Sequence, residues 1–267
     1  MIIIGELINS TRKSIRAAME NRDAPYIQDL ALRQDKAGAD FIDVNAGAFA
    51  KGELEHLEWA ITQVQAVTKK PLSIDSPQKV AIERGLRLHR NGKPLINSIT
   101  MEGRKWAEVA PLALEYESYV LGLCIDDDGI PADVGKRVKI AGRIIEGLLK
   151  KGKSIDDVWI DPVTTPVSAN QDLGIVLLET IQEIHHEFPE VKLVTGLSNV
   201  SFGLPIRKQV NRACVAMCLA CGLDGALIDP LDEVLMSIVK AAEVILKRDV
   251  FCKGYITAYR EERISKV

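Results

Sequence analysis

Short apolar, β-branched runs punctuate the chain every 25 to 40 residues or so, roughly the span of one strand-plus-helix unit. In order they read IIIGELIN, ADFIDVNAG, PLSIDS, PLINSI, YVLGLCID, VWIDPV, KLVTGLSN and GALIDP. Between and after them the apolar period changes to that of a helix, over residues 26–37, 54–67, 78–88, 106–114, 134–149, 175–188, 207–221 and 233–246. In the first of these, Ile27, Leu30, Ala31 and Ala37 carry the apolar pattern and Gly38 supplies a C-terminal stop. Eight such pairs, with no linker or low-complexity stretch between them, predict an α/β fold, a (β/α)8 barrel. The runs are too uniformly apolar for half-exposed antiparallel strands, so the sheet is expected to be parallel and covered on both faces. An open doubly wound sheet is the alternative, but such sheets open on a glycine-rich fingerprint and GELINS is not one. The expectation is a single domain over 1–267, with 250–267 a C-terminal extension that packs under the barrel or between two copies of the chain.

Composition narrows the function classes. The 267 residues are 47% hydrophobic and 27% charged, with a net charge of −3, a balance that points to neither nucleic acid nor an anionic membrane as partner. The opening MIIIGELI has no basic flank and no small-residue cleavage site, and reads as a buried strand rather than a leader. No apolar stretch approaches the roughly 20 residues needed to span a bilayer. Five cysteines are an odd number and few for this length, so reduced thiols and a cytoplasmic location are expected.

Candidate chemistry appears where the strands end. In a barrel those C-terminal ends build the site, and here they read Glu6 and Asn9, Asp43 and Asn45, Asp75 and Ser76, Asn97 and Ser98, Asp126, Asp161, Ser198 and Asn199, and Asp229. Asp, Asn and Ser are also common turn and cap residues. That preference does not explain why Asp75, Asp161 and Asp229 each precede Ser or Pro at equivalent places, nor why no Lys, Arg or His stands among these positions. A carboxylate offers two oxygens to a fork of N–H donors and suits a guanidine-like edge. A pterin has that edge, an exocyclic amine beside a ring N–H. Carboxylates also bind Mg²⁺, a use ranked lower because no Lys or His accompanies the acids. The loops after the seventh and eighth runs lack a phosphate grip, and IDPLDE would repel one.

The stretches GELIN, DVNAG, SIDS, INSI, IDPVTTPVSANQ and TGLSNVSFGLP together resemble the methyltetrahydrofolate:corrinoid/iron–sulfur protein methyltransferases, relatives of the folate module of cobalamin-dependent methionine synthase. The resemblance runs over nearly the whole chain in strand order. One departure is Leu7, where the family often has Arg. The resemblance implies a pterin-binding barrel in which Asp75, Asn97 and Asp161 hold the ring while Gly196, Ser198 and Asn199 line its reacting side, with Asn199 as the catalytic residue at N5. Gly196 and Gly203 would let the backbone approach a flat ring. Glu6, Asn9, Asp43, Asn45 and Arg207 are weaker candidates, Arg207 for the glutamate tail of the folate or for a partner. It further implies that tetrahydrofolate or 5-methyltetrahydrofolate is the substrate and that the corrinoid arrives on a separate protein docking over the barrel mouth. No bound metal is expected, and a homodimer is. The difficult chemistry then belongs to the cobalt, and the chain supplies position. The alternatives are a dihydropteroate synthase-like pterin transferase and a non-catalytic pterin-binding subunit.

Three other signals are read as structural. Cys214, Cys218 and Cys221 share one helix face and are expected to pack on the barrel. His185 and His186 end a helix, where a cation is favoured. The run Asp126–Asp127–Asp128–Gly129 lacks the later acid of a calcium loop and reads as a solvated turn.

Overall fold

The computed structural model describes residues 1–265. Lys266 and Val267, the end of the expected extension, lie outside the described residues. The strands are β1 (Ile2–Asn9), β2 (Phe41–Asn45), β3 (Leu72–Asp75), β4 (Leu95–Ile99), β5 (Tyr119–Leu123), β6 (Val158–Asp161), β7 (Lys192–Gly196) and β8 (Gly225–Ile228). Each pairs in parallel with the next, and β8 returns to β1, closing an eight-stranded barrel in sequence order. The helices are α1 (Lys13–Glu20), α2 (Ala24–Lys36), α3 (Glu53–Val67), α4 (Lys79–Leu88), α5 (Gly103–Glu115), α6 (Val134–Lys150), α7 (Asp172–Glu187), α8 (Arg207–Cys221), α9 (Glu233–Ile245) and α10 (Lys253–Arg260). The fold is the expected (β/α)8 barrel, with two additions. The short α1, which buries Ile15, Ala18 and Met19, has no counterpart among the helical periods of the sequence. The extension forms α10, which lies against α9. Its end reaches Ser237, whose hydroxyl accepts the Ser265 N–H at 2.8 Å, and Arg263 lies beside Gly38 in the turn entering β2, at the N-terminal end of the sheet.

Because successive strand residues alternate faces, the core divides in two. Outward positions such as Ile3, Ile42, Ile74, Ile96, Val120, Ile160, Leu193 and Ile228 join the helices in one large apolar shell. Inward positions Ile4, Phe41, Leu95, Leu121, Trp159, Val194 and Leu227 form a separate plug inside the barrel. Aromatic rings knit that plug together: Trp159 meets Phe41 edge-on at 5.6 Å and stacks on Tyr119 at 4.8 Å. Two residues further along, the same inward direction reaches Glu6, Asp43, Asn97, Asp161, Gly196 and, just past β8, Asp229, and on β3 Ser73 is followed by Asp75, while on β5 Leu121 leads to the apolar Leu123. An apolar floor therefore carries a polar layer directly above it. On β1 the pairing with β2 shifts register between Gly5 and Ile8, an irregularity beside Glu6.

The β1–β8 seam depends on a missing side chain. A Cβ at Gly225 would stand 2.8 Å from Ile2 Cβ and 3.0 Å from the Ile2 carbonyl oxygen, and a backbone oxygen cannot swing aside as a side chain can. Gly225→Ala is therefore expected to cost about 1–3 kcal/mol, read as a lower urea midpoint with an unchanged slope.

Candidate active site

The polar layer opens at the C-terminal ends of the strands. On β2 and β3 two carboxyl groups stand side by side. Asp43, fully buried, accepts hydrogen bonds at one oxygen from Ser73 Oγ (2.6 Å) and Asn97 Nδ2 (3.1 Å). Asp75, half-buried, accepts at one oxygen from Asn45 Nδ2 (2.8 Å). Asn45 is in turn held by Ser10 Oγ and the Gly47 N–H, both donating to its Oδ1. Burial, and next the neighbouring Asp75, push the Asp43 carboxyl well above the usual range. Burial likewise raises Asp75 to about 6, against the opposing pull of Asn45 and the Lys105 ammonium. The pair thus keeps a proton to higher pH than free carboxyls would, and offers a ligand an acid and an acceptor together.

Across the mouth, Asp161 ends β6. Its Oδ1 accepts from Thr195 Oγ1 (2.6 Å) and the Val163 N–H (2.7 Å), and its Oδ2 only from the Gly196 N–H at 3.3 Å. Burial raises this carboxyl too, with all three donors opposing it. The Val163 donor is unusual, since a β-branched residue there adopts φ +67°, a region that such residues rarely enter. A fully buried guanidinium holds it. Arg137, from α6, donates through one nitrogen to the carbonyls of Pro162 (2.8 Å) and Val163 (2.7 Å), and through Nε to Pro131 (2.8 Å).

At the rim between β7 and β1, the 3-10 turn Leu197–Ser201 carries Ser198 and Asn199. Ser198 Oγ donates to Glu6 (2.9 Å), which also receives Arg12 (3.0 Å). Burial raises Glu6, against Ser198 and Arg12. Asn199 is exposed, and its amide makes no hydrogen bond with any described residue. A Cβ on Gly196 would lie 3.4 Å from that amide, so glycine leaves the space in front of Asn199 clear.

Unused hydrogen-bonding capacity separates the candidates. Asp75 Oδ1, Asn97 Oδ1 and the Asn199 amide have no partner among the described residues, and Asp161 Oδ2 has only the long 3.3 Å bond from Gly196, so all four have capacity left for a ligand. Asn45 and Ser73 are spent on those groups and on Asp43, whose Oδ1 takes two donors while its Oδ2 has no partner among the described residues. Asn9 folds into its own turn, accepting from Thr11. Arg207 braces the 3-10 turn, donating to the Ser198 carbonyl (2.6 Å) and Ser201 Oγ (3.0 Å). Ser76 points away, to Glu53 at the start of α3.

Two expectations are corrected. Asp126 is not at a strand end: β5 stops at Leu123, and Asp126 pairs with Arg143 of α6 inside a tight turn closed by Gly129. Gly203 faces Ser168 and not the pocket, and its φ of +81° serves the turn. The strand ends alone miss Arg12, Lys105 and Arg137. None lies at a strand end, so the mouth carries positive charge after all, brought by helices and loops. Cys214 and Cys218 pack in the shell, sulfur to sulfur at 3.7 Å.

With that geometry in place, the sequence profile described as "Pterin binding enzyme" matches residues 5–229, from the first strand to the polar end of the last. The chain belongs to the pterin-binding enzyme family. It is similar over its full length to a methylcorrinoid:tetrahydrofolate methyltransferase of Eubacterium limosum, 33% identical over 270 residues that cover 100% of this chain and 99% of that one. It is also similar to methionine synthase of Mycobacterium tuberculosis, 29% identical over 85% of this chain, which there amounts to 20% of a much longer protein. In shape, this pterin-binding enzyme matches the dihydropteroate synthase of Yersinia pestis with a TM-score of 0.68, covering 92% and 93% of the two chains at 18% identity. That last likeness concerns the fold alone. Among the described residues, no helix is long and apolar enough to cross a membrane, and no group of three or more His, Cys, Asp or Glu side chains is arranged to hold a metal.

Two outcomes follow for this pterin-binding enzyme. The raised Asp75 carboxyl means that the folded chain keeps a proton which the unfolded chain has lost, so stability falls as pH rises from about 4 to about 6. Asp75→Asn has no such proton, and its stability relative to wild type should climb over that window by up to roughly 3 kcal/mol, measured by urea titration at each pH. Arg137→Met strands the two buried carbonyls of Pro162 and Val163 and removes the bond to Pro131, and should cost about 3 kcal/mol or more, read as a lower thermal midpoint.

Proposed function

We propose that the chain is a methyltransferase moving a methyl group between a corrinoid carried on another protein and N5 of tetrahydrofolate. The observation that carries this reading is the set of groups with hydrogen-bonding capacity left over, Asp75 Oδ1, Asn97 Oδ1, Asp161 Oδ2 and the Asn199 amide, around one mouth. Three acceptors beside raised carboxyls fit the amine and N–H edge of a pterin. The uncharged amide fits a ring nitrogen whose protonation changes. The full-length similarity to a methylcorrinoid:tetrahydrofolate methyltransferase supports the same assignment.

In this reading Asp75, Asn97 and Asp161 bind and orient the ring, while Asp43, Asn45, Thr195 and Arg137 hold those three in place. Gly196 and Ser198 complete the wall. A bound corrinoid supplies the cobalt centre that gives or takes the methyl group. The amide of Asn199 donates to a neutral N5 or, turned over, accepts from N5–H⁺. A fixed carboxylate would favour only the charged state, whereas a contact that strengthens along the reaction lowers the barrier. Phe202 and Ile206, exposed next to the 3-10 turn, give a carrier protein apolar purchase at the rim. Ile245, Val250, Phe251 and Tyr259, exposed on and beside α10, support a homodimer. Reduced thiols fit the cytoplasm.

Asn199→Ala tests the mechanism. Turnover is expected to fall about a hundredfold, on the order of 3 kcal/mol in the transition state, with a smaller loss of folate affinity. Stopped-flow absorbance of the cobalt, together with calorimetric folate binding, reads both. A variant that binds folate tenfold worse yet turns over normally when saturated would move catalysis away from Asn199. Asp75→Ala should instead weaken folate binding by roughly 2–4 kcal/mol, and unchanged affinity by calorimetry would remove it from the pocket.

A further inference from the structure

Ile3 and Ile8 both lie in the outer apolar shell, although an odd number of places separates them. In a regular strand that spacing puts two side chains on opposite faces. The parity changes because β1 carries an extra residue. With β2, Gly5 pairs with Ile42 and Ile8 with Val44, so Glu6 and Leu7 together stand opposite Asp43. The pairing of β1 with β8 ends at Gly5 and Ile228. Such a bulge takes backbone groups out of the ladder, and they need other partners. Here a side chain supplies one. The Leu7 N–H donates to Oε1 of Gln34, in the last turn of α2, at 3.1 Å. Gln34 is fully buried on the helix-covered side of the sheet. Gly5 makes room for it: a Cβ there would collide with Gln34 Oε1 and stand 3.0 Å from its Cδ. Packing alone would favour an apolar side chain at this place, because Nε2 of the same amide is buried with no partner among the described residues. The one bond that the amide makes is to the bulge.

What the bulge delivers is Glu6. Turned inward, its Oε1 accepts from Ser198 Oγ at 2.9 Å and from Arg12 at 3.0 Å. The bond to Ser198 joins residues 192 places apart in the chain and ties β1 to the 3-10 turn Leu197–Ser201. Asn199 follows Ser198 in that turn, and the backbone of the turn sets where its amide stands. Arg207 braces the same turn from the other side, through the Ser198 carbonyl and Ser201 Oγ. Beyond the bulge, β1 is anchored to β2 again, by Ile8 on Val44, by Asn9 on Asn45 and by the Ser10 N–H on the Asn45 carbonyl at 2.9 Å. Loss of the Gln34 bond therefore loosens Glu6 and Leu7 while the strands that carry Asp75, Asn97 and Asp161 keep their pairing.

We propose that Gln34 is a positioning residue for methyl transfer. From outside the barrel it fixes the β1 bulge, the bulge aims Glu6 into the mouth, and Glu6 holds Ser198 and with it the turn that presents Asn199. The proposal rests on the methyltransferase reading and extends it to a side chain that touches no substrate. Rate, and not ring binding, is what such a residue controls, because a small displacement of a directed contact costs more in the transition state than in the bound ground state.

The test is steady-state demethylation of free methylcobalamin by tetrahydrofolate, followed by cobalt absorbance. Gln34→Met keeps the length of the side chain and removes the acceptor. Its kcat should fall about tenfold while KM for tetrahydrofolate stays within about twofold of wild type. Gln34→Glu restores an acceptor oxygen and should recover most of the rate. Ser198→Ala breaks the same chain of contacts further on, so joining it to Gln34→Met should cost no more than the worse single change. A wild-type kcat in folded Gln34→Met, a change in KM alone, or losses that multiply in the double variant would overturn the positioning role and leave the methyltransferase reading standing. Should Gln34→Met not fold, Gln34→Asn, whose shorter amide falls short of the Leu7 N–H, takes its place with the same outcomes. Failure of both to fold would make Gln34 a folding residue and overturn the proposal. Wild-type protein that binds tetrahydrofolate yet leaves methylcobalamin methylated would bring down the methyltransferase reading, and this proposal with it.

Discussion

Carboxyl groups resist leaving water, and the mouth of this barrel is arranged around that resistance. Glu6, Asp43, Asp75 and Asp161 are all drawn into the protein, and burial is the largest influence on each. A buried carboxyl persists only with donors around it or with its proton kept. The structure uses both solutions. Asp161 is surrounded by donors, two of them backbone N–H groups that only one loop conformation can present. Asp43 and Asp75 share a more protonated environment, with amides from Asn45 and Asn97. Much of the local architecture, including the strained Val163 and the interior guanidinium of Arg137, is what those donors require.

The same demand links binding to chemistry. A ligand rich in N–H groups completes what the protein leaves unfinished, which makes the acid layer selective for such a ligand. The proposed methyl transfer would ask for something different nearby, a polar group that carries no charge, and Asn199 offers one on the 3-10 turn after β7. The barrel separates the two roles because neighbouring strands deliver their side chains to one level while their loops differ.

Much of this was legible in the chain. The eight apolar runs became the eight strands, and helix α8 spans the same residues as its apolar period. The acids were visible because each stands where an apolar run turns polar, as Asp161 does at the end of VWID, and the structure turns them inward, two places on from a floor residue such as Trp159. Asp126 broke that logic: the apolar pattern of YVLGLCID runs past the last hydrogen-bonded residue of β5, and a tight turn takes over. Arg12, Lys105 and Arg137 were hidden for a different reason. They sit on helices or loops at positions that read as ordinary solvated cations, and only the packing shows that Arg137 is enclosed or that Lys105 is half-buried. Helix α1 was hidden by its brevity and by the charges around its apolar stripe.

The aromatic and aliphatic plug below the acid layer makes the barrel a vessel with one opening. Phe41, Tyr119 and Trp159 close its lower half, so water and hydronium ions reach Asp43, Asp75 and Asp161 only from the rim. A ligand and a partner that covered that rim would cut the acids off from the bulk. Whatever protons they held at that instant would be the whole stock on hand until the cover lifted. The pH of the surroundings would then act through the moment of closure, as a setting recorded in the site, and no longer as a reservoir that the reaction can draw upon.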